Sequence, residues 1–230
     1  MAKIVFTDTL GVPTEHKPKP ALMSVPEWYK NMESYIGGQK KPTGTGGTTG
    51  TIKRCMPVFD AITNGYIIYT YCDIYVSQKD NAPWYEWSSF EPIQWHPIEQ
   101  APTHPNRGSL KTSYPKFINP WAIKTPKGYS VFFTQPMHRE SLFTILDGIV
   151  DTDAYDAPVN FPFVLNDWNF EGLIPAGTPM AQVIPFKRES WEMSIGSEKE
   201  FKDQIKTTIA LRSRFFDSYK NYFRQSKEYK

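Results

Sequence analysis

Four carboxylates fall close together at Asp147, Asp151, Asp153 and Asp156, with Tyr155 among them. Clustered carboxylate oxygens suit a hard divalent cation, but Asp-rich stretches also build solvated turns, and the turn is the reading adopted for this cluster. Arg139 and Ser141 offer a cation and a hydroxyl between two strand patterns, and Gln182 an amide inside a third. For Arg139 and Ser141 a polar turn between strands is the reading adopted, and a strand glutamine with satisfied bonds suits Gln182 as well. His96 and His104 lack a cysteine or third histidine at ligand spacing, which speaks against zinc. Cys55 and Cys72 sit in two apolar stretches separated by a turn; they can face each other, but two buried thiols are the simpler reading. Residues 37–50 are Gly- and Thr-rich without the Gly-Lys-Ser/Thr ending of a phosphate loop, so they read as a flexible linker. No nucleophile-elbow, zincin or Walker pattern occurs.

The elements that must position these residues are short and mostly extended. Gly148–Tyr155 reads as a turn, Val159–Leu165 as a buried strand ending before Asn166, and Ile174–Phe186 as a Gly177 turn leading into a second buried strand. Upstream, Gly65–Val76 is dense in β-branched and aromatic residues and carries the strongest strand signal. It leads through Lys79-Asp-Asn-Ala-Pro into a hairpin partner at Trp84–Phe90. Thr51–Met56 reads as a short strand, Pro57–Asn64 as a helical turn closed by Asn-Gly, and Leu110–Ile123 and Lys127–Thr134 as two further strands. Before the linker, a helix starting near Pro26 places Trp28, Met32 and Tyr35 on one face. After the strands, Ser197 and Glu200 form a capping box. Phe201, Ile205, Ile209, Phe216, Tyr219 and Phe223 continue as an apolar stripe, with Arg224, Lys227 and Lys230 at its basic end. Carried through, that helix is about thirty residues, or ~45 Å, long.

Composition bounds the class. With 20 prolines, 14 glycines and 15% aromatics in 230 residues, many short strands around a ring-filled core are expected, and no βαβ alternation is visible. The predicted class is mainly β: an extended arm, short helix and flexible loop over 1–50, a β domain over 51–195, and an amphipathic helix over 196–230. A net charge of +2 gives no electrostatic case for nucleic acid or a membrane surface. No apolar run approaches the ~20 residues of a membrane span, and Met1–Phe6 is too short for a signal h-region, so a cytoplasmic location is the expectation.

The run Gly148-Ile-Val-Asp151-Thr-Asp153-Ala-Tyr155, the strand ending Leu165-Asn166, and Gly177-Thr-Pro-Met-Ala-Gln182-Val-Ile resemble, in that order, the third and fourth motifs of the dUTP pyrophosphatase and dCTP deaminase superfamily. The resemblance implies a β-clip fold, a distorted and partly barrel-like antiparallel sandwich, and threefold assembly. It requires the segments Val159–Leu165 and Ile174–Phe186 to lie in one sheet. By the same resemblance, Asp151 orients a water and contacts a sugar, Tyr155 stacks on deoxyribose, and Gln182 matches the glutamine of the fourth motif. Pro126–Ser141 resembles the phosphate segment, with Arg139 and Ser141 in the place of its Arg-Ser pair.

The departures decide which function is expected. Ala154 displaces Tyr155 by one residue, and Met137–Ser141 breaks the phosphate-motif spacing. An isoleucine in Gly65-Tyr-Ile-Ile-Tyr replaces the aspartate near magnesium, and no glutamate lies on Val159–Leu165 to act as a deaminase base. The expected function is therefore a non-catalytic assembly protein without cofactor. The extended arm, the flexible loop and the long helix suit a subunit embraced by its neighbours, and a bacteriophage virion-associated protein, present in host cytoplasm and then in the virion, is expected. In Trp28-Tyr29, Arg54-Cys55-Met56-Pro57 and Gly148-Ile149-Val150-Asp151-Thr152 the chain also resembles, more loosely, uncharacterised phage and bacterial proteins of no known activity. Its partners are copies of itself, possibly three, and other assembly proteins. Trp28 and the stripe Phe201, Ile205, Ile209, Phe216, Tyr219 and Phe223 supply the contacts. The alternative is a magnesium-dependent dNTP hydrolase or nucleotide-binding regulator using Asp151 and Tyr155, with Arg139, Ser141 and Gln182 on the ligand.

Overall fold

The structure is a computed structural model that describes residues 2–11, 15–42, 49–100, 113–213 and 219–230. These form two compact units, residues 1–24 with 65–188 and residues 25–64 with 189–230. Among the described residues the chain is mainly β, with fourteen strands and every strand pair antiparallel.

The first unit opens with β1 (Val5–Asp8) and β2 (Lys19–Pro20) and continues through β3 (Tyr66–Tyr69), β4 (Ile74–Lys79), β5 (Ala82–Trp87) and β6 (Ile93–Pro97). After residues 101–112 come β7 (Ser113–Phe117), β8 (Trp121–Lys124), β9 (Tyr129–Thr134), β10 (Phe143–Ile145) and β11 (Gly148–Val150). The last three are β12 (Phe161–Leu165), β13 (Gly172–Ile174) and β14 (Pro179–Lys187). They form a five-stranded sheet β11-β9-β14-β3-β2, a four-stranded sheet β10-β12-β7-β6, a three-stranded sheet β13-β4-β5 and the pair β1-β8.

The core is ring-filled, as the composition implies. Phe117 of β7 stacks on Phe163 of β12 with centroids 3.9 Å apart, and Phe143 of β10 meets both edge-on. Phe133 of β9 reaches Phe161 of β12 at 5.4 Å, so the five- and four-stranded sheets share one apolar interior. Offset and edge-on ring pairs of this kind add about 0.5–1.5 kcal/mol each beyond area burial.

Several expectations change. Gly65–Val76 is not one strand: β3 and β4 lie in different sheets. The chain turns between them because Thr70 Oγ1 donates to the Pro175 carbonyl at 2.8 Å and the Asp73 carboxylate accepts from the Ala176 N–H at 2.8 Å. The β4–β5 hairpin is as expected, its two-residue turn made by Asp80 and Asn81 at φ 52° and 59°. The stretch read as one strand from Leu110 to Ile123 is described from Ser113 and holds two strands, β7 and β8, in different sheets. The two segments after the acidic turn also part company, with β12 in the four-stranded sheet and β14 at the centre of the five-stranded one. The condition set by the resemblance, that they share a sheet, is not met.

In the second unit, α1 (Glu27–Asn31) is a single turn. Its buried aromatic is Tyr29, whose hydroxyl donates to the Lys53 carbonyl at 3.0 Å, whereas Trp28 is exposed, with its ring set edge-on to Tyr29 at 5.5 Å. Met32 caps this turn and Tyr35 bridges to Gly50, so the expected three-residue face does not form. Ile52–Arg54 is a 3-10 turn instead of a strand, held by Arg54 N–H to Thr51 O and Cys55 N–H to Ile52 O. α2 (Met56–Thr63) starts with Pro57 in its first turn. α3 (Glu198–Ser213) is sixteen residues long, Tyr219–Phe223 is one π-helical turn, and residues 224–230 are irregular. The expected helix does not continue to Lys230, because the chain after Phe223 is drawn onto α2. There Arg224 Nη2 and Nε donate to Asp60 at 2.6 and 3.0 Å, and Lys227 donates to the same carboxylate at 2.9 Å.

Candidate functional site

β11 ends in the acidic turn, where the Ala154 and Tyr155 N–H groups both donate to the Asp151 carbonyl, at 3.0 and 2.9 Å. Underneath, the buried Thr152 hydroxyl meets the Thr125 hydroxyl at 2.7 Å and ties the turn to the end of β8. The sequence reading did not foresee what stands over it. Arg188, directly after β14, lies beside β9 because its N–H donates to the Gly128 carbonyl at 2.8 Å. From there its guanidinium spans the turn: Nη1 and Nη2 donate to the two Asp153 oxygens at 2.9 and 2.5 Å, and Nη1 also reaches Asp151 Oδ1 at 3.2 Å.

The remaining bonds complete a closed network. Ser130 Oγ donates to Asp151 Oδ1 at 2.6 Å and accepts from Arg188 Nη1 at 2.9 Å, while the Gly128 N–H donates to Asp153 Oδ2 at 2.8 Å. Arg188 first, and the Gly128 N–H second, hold the Asp153 carboxyl down at about 2. Asp156 is paired with Lys124. No local signal joins Arg188 to a turn some 35 residues earlier in the chain; only the pairing of β14 with β9 and of β9 with β11 brings them together.

Chemically, this arrangement positions a turn. Asp151 Oδ1 is not free to take a proton, because it already accepts from Ser130 and Arg188. Nor do Asp151 and Asp153 fit magnesium, since a shared guanidinium occupies the space between them that a cation would need. Among the described residues no group of three or more His, Cys, Asp or Glu is placed to hold a metal.

The other candidate residues do not converge on the turn. Gln182 is fully buried in β14, and its Oε1 accepts from the Met137 N–H at 2.9 Å. Arg139 donates through Nη2 to the Ser24 carbonyl, and burial pushes its pKa down. Ser141 Oγ accepts from the Phe143 N–H at 3.3 Å, and its carbonyl accepts from Asn166. These contacts hold the loop before β10. Tyr155 is exposed on the turn, beside but not stacked over anything described.

Both cysteines are free. Cys72 is buried, which pushes its thiol up to about 11, but Cys55 is exposed, against the expectation of two buried thiols. Cys55 fails to bury because it sits at the N-terminal end of α2, outside the packed face.

The predicted contact residues are in the second unit. Phe201, Ile205 and Ile209 project from α3 at 59%, 40% and 59% exposure, and Tyr219 and Phe223 are exposed as well. Phe216 and His104 lie outside the described residues. Just ahead of α3 stand Trp191, Met193 and Ile195 at 87%, 89% and 93% exposure, which the reading of the sequence passed over although their alternation with Glu192 and Ser194 was visible.

Comparison with protein-family models, with curated proteins and with solved structures returns no match. No described helix is long and apolar enough to cross a membrane.

Proposed function

We propose that this chain is a non-catalytic assembly subunit that associates through residues 191–209. One observation carries the reading: six large apolar side chains from Trp191 to Ile209 are exposed in a single stretch, while the one acidic turn that resembles an active site is closed by its own arginine. Exposed apolar patches of this extent mark interaction sites in soluble proteins.

The finer parts of the proposal have separate supports. A degenerate dUTP pyrophosphatase-like β-clip rests on the Gly148–Tyr155 and Ala181–Gln182 resemblance, and the separation of β12 from β14 counts against it. Placement in a bacteriophage virion rests on the extended arm, the Gly- and Thr-rich loop and the exposed apolar helix, which suit a subunit embraced by neighbours, beside the looser resemblance to phage and bacterial proteins. The test is sedimentation of the purified chain across a range of concentrations, beside a search for it in purified phage particles. Association that Phe201→Ser/Ile205→Ser weakens supports the assembly reading, and a single chain at every concentration, absent from particles, removes it.

The alternative, a nucleotide hydrolase or regulator, is favoured only by the shared exposure of Asp151 and Tyr155 on one turn. A nucleotide at 100 times its Kd adds about 2.7 kcal/mol of stability. A thermal shift of that size with any dNTP and magnesium would overturn the non-catalytic reading.

A further inference from the structure

Between β14 and α3 the chain runs through Glu189-Ser-Trp191-Glu-Met193-Ser-Ile195-Gly-Ser197 without joining a described strand. Its large side chains alternate with small or charged ones, which is the period of a strand with one apolar face. In this chain that face is almost wholly in water: Trp191, Met193 and Ile195 are the most exposed large apolar residues described. A strand-patterned segment with no strand beside it is half of a pairing.

We infer that the other half is the same segment of a second copy, the two running antiparallel about a twofold axis at Met193. This rests on the assembly reading and names its partner and geometry. The argument is the segment's complementarity to itself. Centred on Met193, antiparallel pairing sets Trp191 opposite Ile195, Glu192 opposite Ser194, Ser190 opposite Gly196 and Glu189 opposite Ser197. Apolar residues meet apolar ones, and neither glutamate faces a like charge, which would destabilise a cross-strand pair. A twofold contact needs such self-matching, since one patch serves both sides. A shift of one residue either way sets Glu192 opposite an apolar side chain, so the pattern excludes a one-residue slip.

Size points the same way. The ribbon of nine paired positions spans roughly 30 Å. A lone two-stranded ribbon is marginal in water, and the exposed Phe201, Ile205 and Ile209 follow a few residues later in the chain as further apolar surface for the same contact. Together the six side chains expose apolar surface on the order of 800 Å², the share one partner brings to a stable interface.

The test is cysteine cross-linking of the full-length chain. Cys55→Ser removes the exposed native thiol, and the buried Cys72 stays as an unreactive background. In an antiparallel pair, opposed Cα atoms are about 4.5–5.5 Å apart, inside the 4.4–6.8 Å range of a disulfide. On oxidation with copper phenanthroline, Met193→Cys is expected to link into covalent dimers at least tenfold faster than Trp191→Cys or Ile195→Cys alone. The double variant Trp191→Cys/Ile195→Cys is expected to match Met193→Cys. Equal rates for all three single variants would overturn the pairing. Sedimentation of the uncross-linked chain separates the two readings. A mass of two or three chains without a Met193→Cys preference defeats the ribbon and leaves the assembly reading standing. A single-chain mass with no cross-link defeats both.

Discussion

Arg188 and Asp153 form a two-pronged ion pair, both guanidinium Nη atoms on both carboxylate oxygens at 2.5–2.9 Å, and Asp151 hangs from the same cation. The pair joins the end of β14 to the turn after β11, two strands away in the same sheet. The turn most suggestive of chemistry is thereby tied to the sheet through Arg188, Ser130 and Gly128.

Replacing Arg188 with Gln is expected to release Asp153 from about 2 toward an ordinary carboxylate value near 4. Its lowered pKa means the folded state holds its proton less tightly than the unfolded chain. The stabilisation is therefore complete above about pH 4 and is lost as pH falls through about 2. Carboxyl titration by NMR reads the shift directly. The wild-type chain should lose stability over that acid window more steeply than Arg188→Gln, and equal slopes would show that the ion pair does not form.

Gly65 closes α2 and opens β3 at φ 70°, where an added Cβ would lie 2.0 Å from the Val183 carbonyl oxygen. A left-handed conformation costs a non-glycine residue about 1–2 kcal/mol, and the clash is with backbone that cannot turn aside. Gly65→Ala is expected to destabilise by about 3 kcal/mol or more. The measurement is the chemical-denaturation midpoint, and an unchanged midpoint would contradict the approach of β14 to this glycine.

In the other unit, Asp60 carries the C-terminal segment. Burial alone would raise its pKa, but the hydrogen bonds from Arg224 and Lys227 outweigh it and the net direction is down. The three charges are partly exposed, so removing the carboxylate should cost about 1–2 kcal/mol, between a surface and a buried pair. Asp60→Asn is also expected to free residues 219–230 from α2. Trypsin should then cut after Arg224 and Lys227 several-fold faster than in the wild-type chain, and unchanged cleavage would argue against the attachment.

Legibility in the sequence follows the range of the interaction. Asp80-Asn81 and Asn64-Gly65 are local devices, and the hairpin and the end of α2 stand where those pairs predict. The break between β3 and β4 was invisible because Thr70 and Asp73 are bonded to Pro175 and Ala176, over a hundred residues away. The helical spacing favours burial of Trp28, but the distant Lys53 carbonyl and Phe59 ring receive Tyr29. For the candidate site, the carboxylates could be read but their neutralising arginine could not. The alternation from Trp191 to Ile195 is local and legible in the sequence, next to the longer helical stripe that follows it.

Gln182 offers the cleanest separation of a structural from a ligand-binding role. Its side chain is fully buried and its Oε1 takes the Met137 N–H at 2.9 Å, at the mouth of the loop that also carries Arg139. Gln182→Ala would leave that N–H without its acceptor and open a small void, for about 1–3 kcal/mol. At roughly 2–4 °C per kcal/mol for a chain of this size, the melting midpoint should fall by several degrees. Gln182→Glu keeps an acceptor for the same N–H, so it should recover part of the loss at a pH low enough to protonate the new carboxyl, and less at neutral pH, where a buried charge is costly. If Gln182 instead faced a ligand, neither variant would move the midpoint of the unliganded chain.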